Sequence, residues 1–206
     1  MVNQETILKR VAELYRTYGI KVCSMDDVAR ACGISKRTLY GIFANKYELI
    51  ETFVAGLTGW FSTEYLEMRR KAPTAIHEVY NALNIIEPLY RRLPYRMFVD
   101  LERHYYQIWR KLDSFRNEAG LDLAVGNISR GIQEGLFTGE LDSEKLAQMR
   151  LWQLDAIHKH ASETGTLHEL LHHATTHYLR GMATEEGNHV INEFITTNSI
   201  ITENQQ

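Results

Sequence analysis

Proline occurs only three times in the 206 residues and cysteine only twice. With so few prolines, and with glycine mostly at the ends of periodic segments, the whole chain reads as helices. Two cysteines, Cys23 and Cys32, are too few for a disulfide scaffold. A reducing cytosol is the default for such a chain, and Cys32 reads as core filler. No run of about 18 apolar residues occurs, so no membrane span is expected. The start, M-V-N-Q-E-T, carries no basic-then-apolar leader signal, which makes the expected location cytoplasmic. The net charge of −3 argues against a generally basic nucleic-acid binder. The charge is uneven, however. Residues 1–50 hold eight Lys/Arg against five Asp/Glu, and the remainder 15 against 21. A modestly positive head on an acidic body suits a DNA-binding end joined to something else.

The most informative stretch is residues 24–46, S-M-D-D-V-A-R-A-C-G-I-S-K-R-T-L-Y-G-I-F-A-N-K. Ser24 is placed to cap a helix, and Asp27 stands where a capping box is completed. Asp26 and Asp27 put negative charge at the positive end of the helix dipole. Gly33 follows the short helix where a left-handed backbone is needed. Ser35 then caps a second helix, expected over residues 36–43. Val28 and Cys32 line the inner face of the first helix, Ile34 plugs the turn, and Leu39 and Ile42 line the second. The outward positions, Lys36, Arg37, Tyr40 and Gly41, are cationic, phenolic or small, which suits phosphates and base edges. Ser24, Ser35, Thr38 and Lys46 are expected to support through phosphates. Asn45 can cap a further helix whose first turn holds Lys46. A cation there opposes the helix dipole and suits an anionic ligand better than helix stability.

These residues, with I-L-K-R-V-A-E-L-Y-R-T-Y-G-I (7–20) and N-K-Y-E-L-I (45–50), resemble the TetR family of bacterial transcriptional regulators. The resemblance covers about the first quarter of the chain. G-I-Q-E-G-L-F (131–137), followed by Leu141 and Asp142, resembles the family's second domain more weakly. The resemblance implies a homodimer with an N-terminal DNA reader and a C-terminal helical domain that senses an effector. Two positions depart from the family's pattern. Cys32 replaces a small alanine, and Gly41 stands where a larger residue often reaches the DNA.

The expected fold is all-α: a three-helix DNA-binding domain with a helix-turn-helix over residues 1–46, then a larger helical bundle over 47–206 for effector binding and dimerisation. About nine to ten helices follow from the periodicity. The first runs over about 4–18, and a long one over about 46–70. In the latter Tyr47, Ile50 and Phe53 are expected to pack on the head, and Trp60, Phe61 and Tyr65 to face the second domain. Pro73 and Pro94 each open a helix, and a break is expected near Gly120. The pair at about 144–162 and 166–182 carries Leu146, Met149, Leu151, Trp152, Leu154 and Ile157, then Leu167, Leu170, Leu171, Ala174, Tyr178 and Met182. Two such helices meeting their symmetry mates would form an isologous four-helix interface.

The middle helices are rich in aromatics, and Trp60, Tyr65, Tyr80, Tyr90, Phe98, Tyr105 and Trp109 are candidates for the wall of a cavity holding a small apolar or aromatic effector. No cofactor is expected. Residues 168–173, H-E-L-L-H-H, supply a competing signal. They contain H-E-x-x-H, which puts two imidazoles one helical turn apart with a glutamate as base, the zinc-protease pattern. That reading needs a third ligand, an open cleft and a strand for substrate. The alternatives are a structural or regulatory metal site on His168 and His172, with His173 or His177, or a pH-sensing interface on the same cluster.

Overall fold

The structure, a computed structural model, describes residues 3–164 and 166–203, and only the backbone of residues 162–164 and 198–203. Gly165, between the helices expected at about 144–162 and 166–182, lies outside the described residues. The elements are α1 (Gln4–Tyr18), α2 (Met25–Ala31), α3 (Lys36–Tyr40), α4 (Lys46–Lys71), α5 (Ala75–Arg92), α6 (Tyr95–His104), α7 (Tyr106–Ser114), a π-helical turn (Phe115–Ala119), α8 (Gly120–Gln133), α9 (Ser143–Thr164), α10 (Leu167–Arg180) and α11 (Glu185–Glu203). Among the described residues no strand forms; Phe137 and Ala183 make an isolated antiparallel bridge.

The chain divides into two compact units, Met1–Thr63 with Pro88–Phe115, and Glu64–Glu87 with Arg116–Gln206. In the first, Ile7, Val11 and Tyr15 of α1 meet Val28, Leu39, Phe43, Ile50 and Phe53, and Met97, Phe98, Leu101 and Ile108 join the same buried cluster. Tyr15 and Phe53 meet edge to face at 5.6 Å between ring centres. α6 also holds the end of α1. The Arg96 guanidinium donates to the carbonyls of Arg16 and Thr17, two of the acceptors that a helix end leaves open. Asp100 accepts from the Lys21 N–H at 3.1 Å. Its Oδ2 also lies only 2.8 Å from where a Cβ on Gly19 would be, and Gly19 turns with φ of 85°. Tyr47 departs from expectation: it is exposed, because the α4 stripe that enters this core runs through Leu49, Ile50 and Phe53.

In the second unit the Glu78 side chain is fully buried. It is met by Nη1 of Arg130 at 3.1 Å, by Nε of Arg69 at 3.6 Å and by the Tyr65 hydroxyl at 3.1 Å. Opposed charges and a donated proton offset the loss of water, as a buried carboxylate requires. The stretch at 131–137 closes α8. Gly135, with φ of 73°, lets Leu136 and Phe137 donate back to the Gly131 carbonyl at 2.9 and 3.1 Å. A side chain at Gly131 would overlap the Phe137 ring.

Two local expectations are corrected. The α3 helix ends at Tyr40 rather than Phe43, and the chain leaves it in a turn through Gly41. Gly120 does not break the helix: a π-helical turn precedes it, and its missing side chain makes room for Leu151. Pro88 lies inside α5, which continues to Arg92.

Candidate nucleic-acid interface

The helix-turn-helix is built by local chemistry. Ser24 Oγ accepts from the Asp27 N–H at 3.2 Å, while Asp27 Oδ2 accepts from the Ser24 N–H at 2.9 Å and from its hydroxyl at 2.6 Å. These bonds, those from the Ser24 side chain foremost, hold the Asp27 carboxyl below its ordinary range. At the far end of α2, Gly33 has φ of 63°, and two reversed bonds close the turn. Gly33 donates to the Arg30 carbonyl at 3.1 Å and Ile34 to that of Ala29 at 3.0 Å. Ser35 then caps α3, accepting from the Thr38 N–H at 3.0 Å, and the two hydroxyls lie 2.8 Å apart.

On α3, Leu39 is fully buried, whereas Lys36, Arg37, Thr38 and Tyr40 are exposed, Tyr40 to 49%. The helix thus presents one sealed face and one open face bearing two cations, a hydroxyl and a phenol. Gly41 is exposed and open, with only the carbonyls of Arg37 and Thr38 near the place of a Cβ. Lys36 is engaged: its Nζ lies 2.5 Å from Asp26 Oδ2.

Lys46 stands apart from that face. Asn45 caps α4 as expected, accepting from the Glu48 N–H at 2.9 Å. Lys46 is half-buried, donates to the Lys21 carbonyl at 3.0 Å and lies 5.8 Å from the centre of the Tyr105 ring. Burial pushes its ammonium below the ordinary lysine range. Lys46 therefore braces the loop between α1 and α2, a contact that nothing in its local sequence signals. Cys23 is buried and Cys32 partly so; burial raises both thiols and leaves them protonated and slow to react.

The aromatic candidates are divided between the two units. Phe98 and Trp109 meet at 6.0 Å in the first, which also holds Trp60, Tyr90 and Tyr105, and Trp60 is exposed. Tyr65 and Tyr80 belong to the second. Tyr65 donates to Glu78. Tyr80 stacks on Phe194 at 4.2 Å and pairs with the Thr176 hydroxyl at 2.9 Å. Beside that stack an open groove of about 760 Å³ is lined by His77, His189, Asn192, Glu193 and Phe194. Sequence reading missed it, because mostly polar residues spaced along α11 meet His77 of α5, far away in the chain.

The histidines are brought together with a partner from far along the chain. His168 Nδ1 lies 2.8 Å from Glu87 Oε2, and the rings of His168 and His172 stand 4.3 Å apart. Burial, and then His168 itself, push the His172 imidazole below its ordinary pKa, which favours the neutral ring. His173 and His177 are exposed.

Residues 7–53 match the model of the bacterial regulatory proteins of the tetR family. The chain is 23% identical over 150 residues to the HTH-type transcriptional repressor KstR2 of Mycobacterium tuberculosis, covering 66% of this chain and 70% of that protein. Its fold is similar to a TetR-family transcriptional regulator from Marinobacter aquaeolei, with a TM-score of 0.77, 17% identity, and 94% and 97% of the two chains covered. It is also similar to FadR from Bacillus subtilis in complex with stearoyl-CoA, with a TM-score of 0.70, 18% identity, and 86% and 96% covered.

Proposed function

Residues 7–53 belong to the tetR family of bacterial regulatory proteins, and from that premise we propose that this chain is a homodimeric, ligand-responsive repressor of transcription acting in the cytoplasm. The observation that carries the reading is the open face of α3, where Arg37, Thr38 and Tyr40 project while Leu39 anchors the helix. Arg37 presents the forked donor that matches a guanine edge or a phosphate, and Tyr40 a flat ring with a polar tip. Lys36, Ser24, Ser35 and Thr38 hold the backbone of the duplex, and Lys46 adds positive charge behind them. Residues 1–46 read the DNA, and residues 47–206 pair the chains and sense the effector.

One such head is modestly charged, so affinity and specificity come from two. Their α3 helices have to reach successive major grooves, about 34 Å apart. The exposed Met149, Trp152 and Leu170 on α9 and α10 support an isologous interface made by these helices. A small, largely apolar effector releases the operator by favouring a spacing that misses one half-site, which takes several kcal/mol of differential affinity. The stearoyl-CoA complex of FadR and the repressor role in the name of KstR2 support both the ligand class and the sign of regulation.

The test is selection of bound genomic fragments, followed by gel-shift titration at fixed salt. Arg37→Ala and Tyr40→Ala each weaken binding to the selected fragment by about 1–3 kcal/mol. Unchanged binding in both variants would show that α3 does not read the operator.

A further inference from the structure

Two histidines one turn apart on α10 are joined by a carboxylate from α5, 81 residues away in the chain. One donor atom from each of Glu87, His168 and His172 lies within 4.8 Å of the other two. Among the described residues this is the one such group of three. Glu87 and His172 are half-buried and His168 is exposed, so the cluster opens to solvent on one side.

We propose that Glu87, His168 and His172 form a binding site for a divalent transition-metal ion of the zinc type, with a fourth position left for water or another ligand. Two imidazole nitrogens and one carboxylate oxygen are a borderline donor set. They suit zinc, nickel, cobalt or ferrous iron. Calcium and magnesium ask for oxygen alone, and cuprous copper for thiolate or thioether. The metric fits as well. Donors about 2.0–2.2 Å from a tetrahedral zinc stand about 3.4 Å from one another. The contact of 2.8 Å between His168 Nδ1 and Glu87 Oε2 is the length set by a shared proton. A cation replacing that proton moves this pair slightly apart and draws the remaining donor inward. The rings of His168 and His172 stand 4.3 Å apart and tilted by 40°, so that one nitrogen of each reaches the same point as the Glu87 carboxylate. Metal bound there fastens the end of α5 that carries Glu87 to the first turns of α10.

The site stands apart from the DNA-binding reading, and its test uses no DNA. Untagged full-length protein is titrated with cobalt(II), followed by its visible absorption, and the cobalt is then displaced with zinc. One cobalt per chain is expected, with ligand-field bands of nitrogen and oxygen donors and micromolar or tighter affinity. Loss of a hydrogen-bonded partner outside the ligand shell typically costs 10–100-fold in affinity, so loss of a direct ligand in Glu87→Gln or His172→Ala weakens uptake at least about tenfold. The pair His173→Ala and His177→Ala leaves it unchanged. Circular dichroism identifies folded variants. Should His172→Ala unfold, Glu87→Gln and His168→Gln decide. Absence of micromolar uptake by the wild type, uptake unaltered in folded Glu87→Gln and His168→Gln, or uptake lost only with His173 and His177, would each overturn the proposal.

Discussion

Lys36 Nζ lies 2.5 Å from Asp26 Oδ2, so the first cation of α3 is tied to the first turn of α2. Both side chains are largely exposed, and such a pair contributes at most about 1 kcal/mol to folding. Its larger effect is on binding. In the proposed reading Asp26 neutralises a charge that would otherwise face phosphate. Replacing it by asparagine is expected to tighten binding to a selected operator several-fold. Lys36→Ala is expected to weaken binding across sequences and to lower the salt slope by about one. Fluorescence anisotropy over a range of salt reads both. If neither variant moves the slope, Lys36 does not meet the duplex backbone.

The cap on α2 gives a second expectation, with a defined pH dependence. Ser24→Ala removes the side-chain half of the Ser24–Asp27 box and should cost about 0.5–2 kcal/mol at neutral pH. Asp27 has a folded pKa below its unfolded one, chiefly through Ser24. Its stabilising contribution is therefore complete above the ordinary carboxylate range and is lost as pH falls through the folded value. The difference between wild type and Ser24→Ala should be widest near pH 7 and narrow on acidification below about pH 4. Urea melts at a series of pH values would show it; a gap that widens in acid would contradict this linkage.

The same residues explain what could be read from the chain without its fold. Ser24, Asp27, Gly33 and Ser35 act on backbone groups two to five residues away, so a short window of sequence contains both partners of each bond. α3 was legible for that reason, although its last turn was overestimated because nothing in Tyr40-Gly41-Ile42 marks where helical bonds give way to a turn. Partners distant in sequence left no such signal. Asp100 accepts from Lys21 and crowds the place of a side chain on Gly19, Tyr105 lies beneath Lys46, and Glu87 meets His168 across 81 residues. The H-E-x-x-H spacing exposed two of three donors and could not name the third. Aromatic richness of the middle helices was visible, but composition cannot tell a wall of a cavity from a core. The structure divides those rings between two units.

A third prediction concerns Glu78, which no periodicity marks as special. It is the fully buried end of an ion network whose other members, Arg130 and Arg69, are each partly exposed. Arg130 also donates to the Ala72 and Pro73 carbonyls and to Glu134, so it closes the end of α4 and neutralises Glu78 at once. Arg130→Ala leaves a buried charge with half its compensation and is expected to cost about 3–5 kcal/mol. Glu78→Gln keeps the shape and removes the charge, so it should cost clearly less. Denaturant unfolding of both variants checks the order; equal losses would mean that the charge is not what Arg130 serves.

The proposed pairing of the chains supplies the last prediction. Trp152 is 63% exposed, Met149 58% and Leu170 41%, on the two helices whose apolar positions exceed what their own unit buries. Met149, Trp152 and Ala156 follow the spacing of one helical face, and Leu170 carries the same character onto α10. An exposed tryptophan at the centre of such a face is the residue type that dominates interface energies, where truncation costs about 2–4 kcal/mol. Trp152→Asp adds a charge that has to be desolvated, so the dimer is expected to dissociate at concentrations where the wild type is paired. Sedimentation velocity measures this directly. Because half-site recognition needs two heads, operator affinity should fall along with dimerisation, while the helical content stays that of the wild type. A Trp152→Asp protein that remains dimeric would move the interface away from α9 and α10.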